Sequence, residues 1–334
     1  MAGAVAGGAE LFFERLVIAL HAAGDTILPV IRTDPARAAR LRAAGLEPVE
    51  LAFGGPADLL TTPRLRRALR AFQPEIVVTW MNRASAHAPK GDWVLVGRLG
   101  GYYRLSHYRR CDHLVGNTRG IVAWLRTKGW PAARTHYLPN FVDDFSLVAP
   151  ATDLPPGRPL LLGLGRLHTD KGFDTLIRAL PLLPTATLAI AGSGPEEPAL
   201  RRLATAEGVA DRVHFLGWRT DAGALLKAAD IFVCSSRIEP LGNMVLEAWS
   251  AARPVVAVRA AGPSELITDG VDGLTVPLED PPALATAIAT LLADPTRAAA
   301  LAQSGRHHFE REYSAPGVIT AWQAFQSSLP SRVE

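Results

Sequence analysis

The sequence predicts an α/β chain of two Rossmann-like domains, each built on a doubly wound parallel sheet, facing one another across a cleft. Three observations carry this expectation. The 334 residues exceed what one hydrophobic core usually organises, so two domains of similar size are expected. In the second half, short apolar runs alternate with helix-like stretches, the rhythm of a parallel sheet with crossover helices. Between the halves lies a turn-rich stretch from Pro139 to Pro159, which reads as a linker.

Along the first half, helices fit Ala9–Ala23, Pro35–Ala44, Pro63–Phe72 and Arg119–Lys128, and strands fit Thr26–Ile31, Pro48–Leu51, Ile76–Trp80, Trp93–Val96 and Leu114–Gly116. Only Met1–Gly8 precedes the first helix, and this Ala/Gly-rich stretch lacks the β-branched residues of a strand. The expectation is a first sheet that lacks a central strand, which an earlier start would supply. The second half is clearer. Strands fit Pro159–Gly165, Ala186–Ala191, Val213–Gly217, Ile231–Ser235, Pro254–Val258 and Leu274–Val276. Helices fit Gly172–Leu183, Pro195–Glu207, Ala222–Ala228, Asn243–Ala252, Pro263–Thr268 and Pro281–Ala293.

Composition narrows the function classes. Hydrophobic residues make up 48% and charged residues 20%, which excludes a disordered chain. Cys111 and Cys234 form no CxxC pair, and a reducing cytoplasm suits them. The N-terminus has no basic segment and no apolar run approaches the roughly 18 residues of a membrane span, so a membrane role would be peripheral. The net charge of +3 is too small to argue for nucleic acid. Its distribution is uneven: residues 1–148 carry 19 Lys and Arg against 12 Asp and Glu, and residues 149–334 carry 16 against 20. The first half is therefore the side expected to meet an anionic partner.

Ligands of open α/β sheets sit at the carboxyl ends of strands, so the loops there carry the chemistry. The first runs from Gly163 through Gly165, Arg166 and Lys171 to Gly172. Glycine admits a close ligand, and two cations ahead of a helix start suit a diphosphate. The same stretch also reads as an ordinary tight turn with solvated charges. The second loop, Ala191-Gly192-Ser193-Gly194-Pro195, opens a helix and reads as plain turn chemistry as readily as a ligand contact. The sharpest runs from Ser235 and Arg237 through Glu239, Leu241, Gly242 and Asn243 to Glu247. Two carboxylates flank a helix N-terminus whose free amides face the same cleft. One can reach a sugar hydroxyl and the other a ribose diol, since a carboxylate accepts two hydrogen bonds at once. The bland reading makes Glu239 a loop charge and Glu247 the partner of an arginine.

These elements together resemble the donor domain of the family-4 retaining glycosyltransferases of GT-B fold, the glycosyl transferases of group 1. The resemblance covers roughly residues 159–295 and rests on several segments in order. These are Gly165-Arg166-Leu167 with Lys171-Gly172, Ala191–Pro195, the spacing of Glu239 to Glu247, Arg253-Pro254-Val255-Val256-Ala257, and Asp269-Gly270-Val271-Asp272-Gly273. It implies an acceptor domain over 1–148, a nucleotide-sugar donor domain over 149–312, and a closing helix over 313–334 that returns to the first domain. It implies that Arg166 and Lys171 hold the donor diphosphate, Glu247 the ribose, and Glu239 the transferred sugar, with the amides of Leu241–Asn243 completing the pocket. Gly165, Gly192 and Gly194 would let the donor approach, Arg237 would touch sugar or phosphate, and Trp218 with Arg219 would meet the nucleobase. In the first half, Gly7 and Gly8 look like the family's glycine-rich loop, and Gly100 and Tyr102 stand where many members carry a histidine that this chain lacks.

The implied reaction is transfer of a hexose-type sugar, with retention, to a cell-envelope glycan or a lipid-linked acceptor of lipopolysaccharide type. The departing diphosphate would take the acceptor proton, so no external base, metal or cofactor is expected. Two rivals stay open: a nucleotide-sugar epimerase, and a catalytically silent sugar-nucleotide-binding protein. The expected location is the cytoplasm, at the inner face of the plasma membrane. There Arg66, Arg67 and Arg70 would share one helical face, and Ile121, Trp124, Leu125, Lys128 and Trp130 would suit a headgroup region.

Overall fold

The structure, a computed structural model, describes residues 1–3, 8–54, 58–157 and 159–330. The chain divides into two compact units, Met1–Asn140 with Ala315–Glu334, and Phe141–Ser314. The division falls at the start of the turn-rich stretch that reads as the linker. Among the described residues no helix is long and apolar enough to cross a membrane.

The second unit is built on β7 (Leu160–Leu164), β8 (Thr187–Ala191), β9 (Val213–Gly217), β10 (Ile231–Cys234), β11 (Val255–Val258) and β12 (Leu274–Val276). They form one sheet in the order β12-β11-β10-β7-β8-β9, and every pairing is parallel. Strands β7, β8, β10 and β11 are buried at every position, which is why they read as unbroken apolar runs. Their side chains alternate between two cores. Leu161, Leu188, Ile190, Val233 and Val256 pack on α6 (Phe173–Ala179), α7 (Glu197–Ala206) and α11 (Pro281–Ala293). Leu160, Leu162, Ala189, Phe232 and Val255 pack on α8 (Ala222–Ala228) and α9 (Asn243–Ser250). Each such aliphatic side chain contributes about 2 kcal/mol of apolar burial. Helix α10 (Ala261–Leu266) follows β11. Helix α12 (Pro295–His308) was not expected; Asp294 caps it by accepting from Arg297 N, with proline in the first turn.

The first unit contains β1 (Val30–Arg32), β2 (Val49–Leu51), β3 (Ile76–Trp80), β4 (Val94–Leu99), β5 (His113–Gly116) and β6 (Thr135–Tyr137). Strands β1 and β2 form one parallel pair and β3-β4-β5-β6 a separate parallel sheet. Strand β1 begins at Val30, later than the 26–31 expected. Pro29 has no N–H to donate, and its carbonyl accepts from Val49 N at the head of the ladder. The helices are α1 (Gly8–Ala22), α2 (Pro35–Ala43), α3 (Thr61–Phe72), α4 (Met81–His87) and α5 (Arg119–Thr127), and α13 (Ala315–Ser328) packs on α1.

The short α4 and β6 were not expected, and α5 corrects one reading. Ile121 and Leu125 are buried, and Trp124 and Trp130 pack against the same core. Those side chains stabilise the unit and are not free to face a bilayer. Arg66, Arg67 and Arg70 do stand exposed on α3.

Candidate functional site

In the second unit, β7 lies between β8 and β10, so the loops after β7 and β10 leave a switch in strand order, where crevices form in open sheets. The loop after β7 is fixed from both sides. Towards β8, Gly165 N donates to Ala191 O (3.0 Å), Leu167 N to Ser193 O (3.0 Å) and Glu196 N to Leu167 O (3.1 Å). A Cβ on Gly192 would lie 1.8 Å from Gly165 O, and one on Gly194 2.3 Å from Leu167 O. Here the glycines are required because backbones touch. Towards β10, Arg237 N donates to Asp170 O (2.8 Å) and Ser235 Oγ to Lys171 O (2.9 Å).

This scaffold holds an ion pair across the switch. Lys171 Nζ meets Glu239 Oε2 at 2.7 Å, with both side chains largely buried. The other oxygen, Glu239 Oε1, accepts from Gly242 N (3.1 Å) at the start of α9. Glu239 is thus bound at the positive end of a helix and to a cation together. The sequence named both residues but not their contact, which joins positions 68 apart. From below, Gly262 N donates to Glu239 O (2.7 Å). A Cβ on Gly262 would lie 2.6 Å from that same oxygen, so its lack of a side chain lets α10 underlie the loop. Gly262 escaped the sequence reading, although a Gly-Pro after a buried strand is a visible turn signal.

Gly165, Leu241, Gly242, Asn243 and Glu247 lie on the loops after β7 and β10 or on α9, with Glu247 one turn beyond Asn243 and half-buried. Asn243 Oδ1 is buried with no hydrogen-bond partner, an acceptor left open at the helix start. Arg166 is exposed. Arg237 is engaged elsewhere. Its guanidinium meets Asp174 at 2.8 and 2.7 Å, Glu279 at 2.6 Å and Thr169 O at 2.9 Å. Burial works to raise Asp174, but the Arg237 hydrogen bonds hold it below its ordinary value. Arg237 therefore braces the loop after β10 against α6. Arg219 is likewise paired, with Asp153 (2.6 Å) and Asp221 (2.6 Å), while the neighbouring Trp218 is 68% exposed.

Cys234, beneath the loop, is buried, and burial with Glu239 nearby pushes its thiol up to about 11. It is no nucleophile at neutral pH. Gly8, Gly100 and Tyr102 belong to the first unit, where Tyr102 is exposed and edge-on to Trp124 at 5.4 Å. Gly7 lies outside the described residues.

Both units are parallel-sheet α/β folds, and the second carries the Lys171–Glu239 pair at a helix start. Residues 158–294 match the family described as Glycosyl transferases group 1, and residues 6–144 match Glycosyltransferase Family 4. The lipopolysaccharide core biosynthesis glycosyltransferase LpsE of Rhizobium meliloti strain 1021 is 35% identical, over 97% of each chain. Its relative LpsD, from the same strain and of the same description, is 34% identical over 95% of this chain and 94% of its own. Among solved structures, Anabaena HepE in complex with UDP superposes with a TM-score of 0.83, at 21% identity, over 98% of each chain. The chain belongs to the group 1 glycosyltransferases of family 4.

Proposed function

We infer that this glycosyltransferase moves a hexose-type sugar, with retention, from a nucleoside-diphosphate donor to a cell-envelope glycan or lipid-linked acceptor of lipopolysaccharide type. The observation that carries the reading is the Lys171–Glu239 pair at the start of α9. A donor diphosphate attracts Lys171 and Arg166 and accepts from the amides of Leu241–Asn243. As Lys171 turns to phosphate, Glu239 is released to accept from hydroxyls of the sugar, and Glu247 accepts from the ribose diol.

In the transfer, the bond from C1 to the diphosphate oxygen breaks and the bond from C1 to the acceptor oxygen forms on the same face. The acceptor proton passes to the departing phosphate oxygen. The two cations and the helix amides stabilise the charge growing there. This route uses no external base, cofactor or metal. The 35% identity to LpsE, over nearly all of both chains, supports the envelope acceptor.

The same reading puts the enzyme in the cytoplasm at the inner membrane face. Arg66, Arg67 and Arg70 are exposed on α3, and Leu59 (80% exposed) and Leu60 (60%) stand just ahead of it. Each cation near an anionic surface contributes about 1 kcal/mol. Sedimentation with anionic liposomes should fall at least severalfold when the three arginines become glutamine, and unchanged binding contradicts the surface role.

A panel of UDP-, GDP- and ADP-hexoses tests the function itself. One donor should be turned over, slowly to free sugar in water and faster when a deacylated lipopolysaccharide core is added. Release of an isomerised sugar without acceptor would make the protein an epimerase, and tight binding without turnover a silent binder.

A further inference from the structure

At the carboxyl ends of β4 and β5 the first unit buries a cation that meets no anion. Trp80 and Arg98 are register partners in the sheet, as are Leu99 and Gly116, so Gly100 and Asn117 leave neighbouring strands at the same level. Arg98 is 2% exposed. Its guanidinium lies over the rings of Trp80 (4.2 Å) and Phe12 (4.8 Å), and Nη2 donates to Asn140 Oδ1. Nε is buried with no hydrogen-bond partner. Among the described residues no carboxylate pairs with the guanidinium, and burial lowers its pKa to about 9, which leaves it charged at neutral pH. A buried cation with aromatic rings and one amide around it is costly until an anion arrives to pair with it.

Three donors converge at this place. A Cβ on Gly100 would lie 3.4 Å from Asn117 Nδ2, 3.8 Å from Tyr103 Oη and 3.9 Å from Arg98 Nη1, so the lack of a side chain at Gly100 leaves a small space ringed by all three. Asn117 is 4% exposed, and its Oδ1 has no hydrogen-bond partner either. Burial raises the pKa of Tyr103 above its ordinary value, so the hydroxyl keeps its proton and can donate. Gly100 and Tyr103 are half-buried, which leaves the space open at its rim. Guanidinium, amide and phenol donors together suit an oxyanion, and the open Asn117 Oδ1 suits a hydroxyl beside it.

We propose that this nest binds an oxyanion carried by the acceptor, a carboxylate or a phosphate monoester, with Arg98, Asn117 and Tyr103 donating to it and Asn117 Oδ1 accepting from a neighbouring hydroxyl. The assignment rests on the reading that the first unit holds the acceptor, and it adds that the acceptor is anionic where it is recognised. A neutral acceptor leaves the guanidinium unpaired and is rejected for that reason. The cation excess of the first half favours the same charge at longer range.

The test is a titration of the full chain, without donor, by methyl glucoside, its 6-phosphate and methyl glucuronide, which share one ring and differ in charge. Each Kd is read from the NMR shift of the Asn117 side-chain amide. At least one of the two anions should bind about tenfold more tightly than the neutral glucoside, or better, and the tighter one identifies phosphate or carboxylate as the group recognised. Arg98→Met should reduce that preference to about twofold or less. Gly100→Ala should do the same by filling the nest, and its methyl meets only ordinary contacts, so this variant stays folded. No saturable shift with either anion, equal binding of all three probes, or a preference that survives both variants overturns the proposal. Because no donor is present, such a failure leaves the transfer reading standing, and a donor panel without turnover leaves the anion site standing.

Discussion

Lys171 and Glu239 neutralise one another at 2.7 Å while Glu239 also accepts from Gly242 N, so the carboxylate waits beside the proposed donor site until Lys171 turns to phosphate. In the proposed reading it then meets the sugar, where contacts can strengthen in the transition state, whereas a ribose contact is equal in ground and transition states. Glu239→Gln should lower the transfer rate about 100-fold with nucleotide affinity changed less than about threefold. Glu247→Ala should weaken nucleotide binding about tenfold and spare turnover. Calorimetry with the nucleoside diphosphate, beside steady-state kinetics, separates the two, and equal losses of affinity contradict the division of roles. The spacing of Glu239 and Glu247 was legible because it is local, set by a strand end and a helix start. What Arg237 does was not legible. Its partners, Asp174 and Glu279, lie 63 and 42 residues away in sequence, and only the fold decides that it braces a loop.

The strands of the second unit were readable because strands buried on both faces leave unbroken apolar runs. The short α4 and β6 of the first unit were not: they offer too few positions for periodicity to register. The interlock of the loops after β7 and β8 gives the prediction that belongs here. Gly192 sits at φ 155°, and a methyl there would meet Gly165 O at 1.8 Å. Gly192→Ala should therefore cost about 2–4 kcal/mol of stability and weaken nucleotide binding at least tenfold. A variant within a degree of the parent Tm and of unaltered affinity would show that the loops are not locked.

A second prediction concerns the seat of α13. His136 of β6 hydrogen-bonds His113 (3.0 Å) and packs on Phe325 at 4.7 Å. Burial, then His113 and Arg126, lowers its pKa below the ordinary 6.5. The unfolded chain then binds more protons in the window just below 6.5, so stability rises with pH there and is lost as pH falls. Urea unfolding at pH 5.5 and 7.5 should show a smaller difference for His136→Leu than for the parent chain, and an equal difference removes His136 as the source.

At the scale of the whole molecule, charge and architecture were both visible at the outset. The excess of cations in the first half and their exposure on α3 agree, because a charged helix face needs no tertiary knowledge to recognise. The apolar face of α5 misled for the opposite reason: Ile121, Trp124 and Leu125 have the same spacing whether they meet lipid or core, and packing chose core. The separation of the first unit into two sheets follows from no single residue.

We propose transfer with retention from a nucleotide sugar. The most direct measurement is the proton NMR spectrum of the anomeric region, recorded on early product from an α-linked donor with parent enzyme and with Glu239→Gln. An α-linked product, formed about 100-fold more slowly by the variant, is the predicted result. A β-linked product, or equal rates for the two enzymes, would contradict the account.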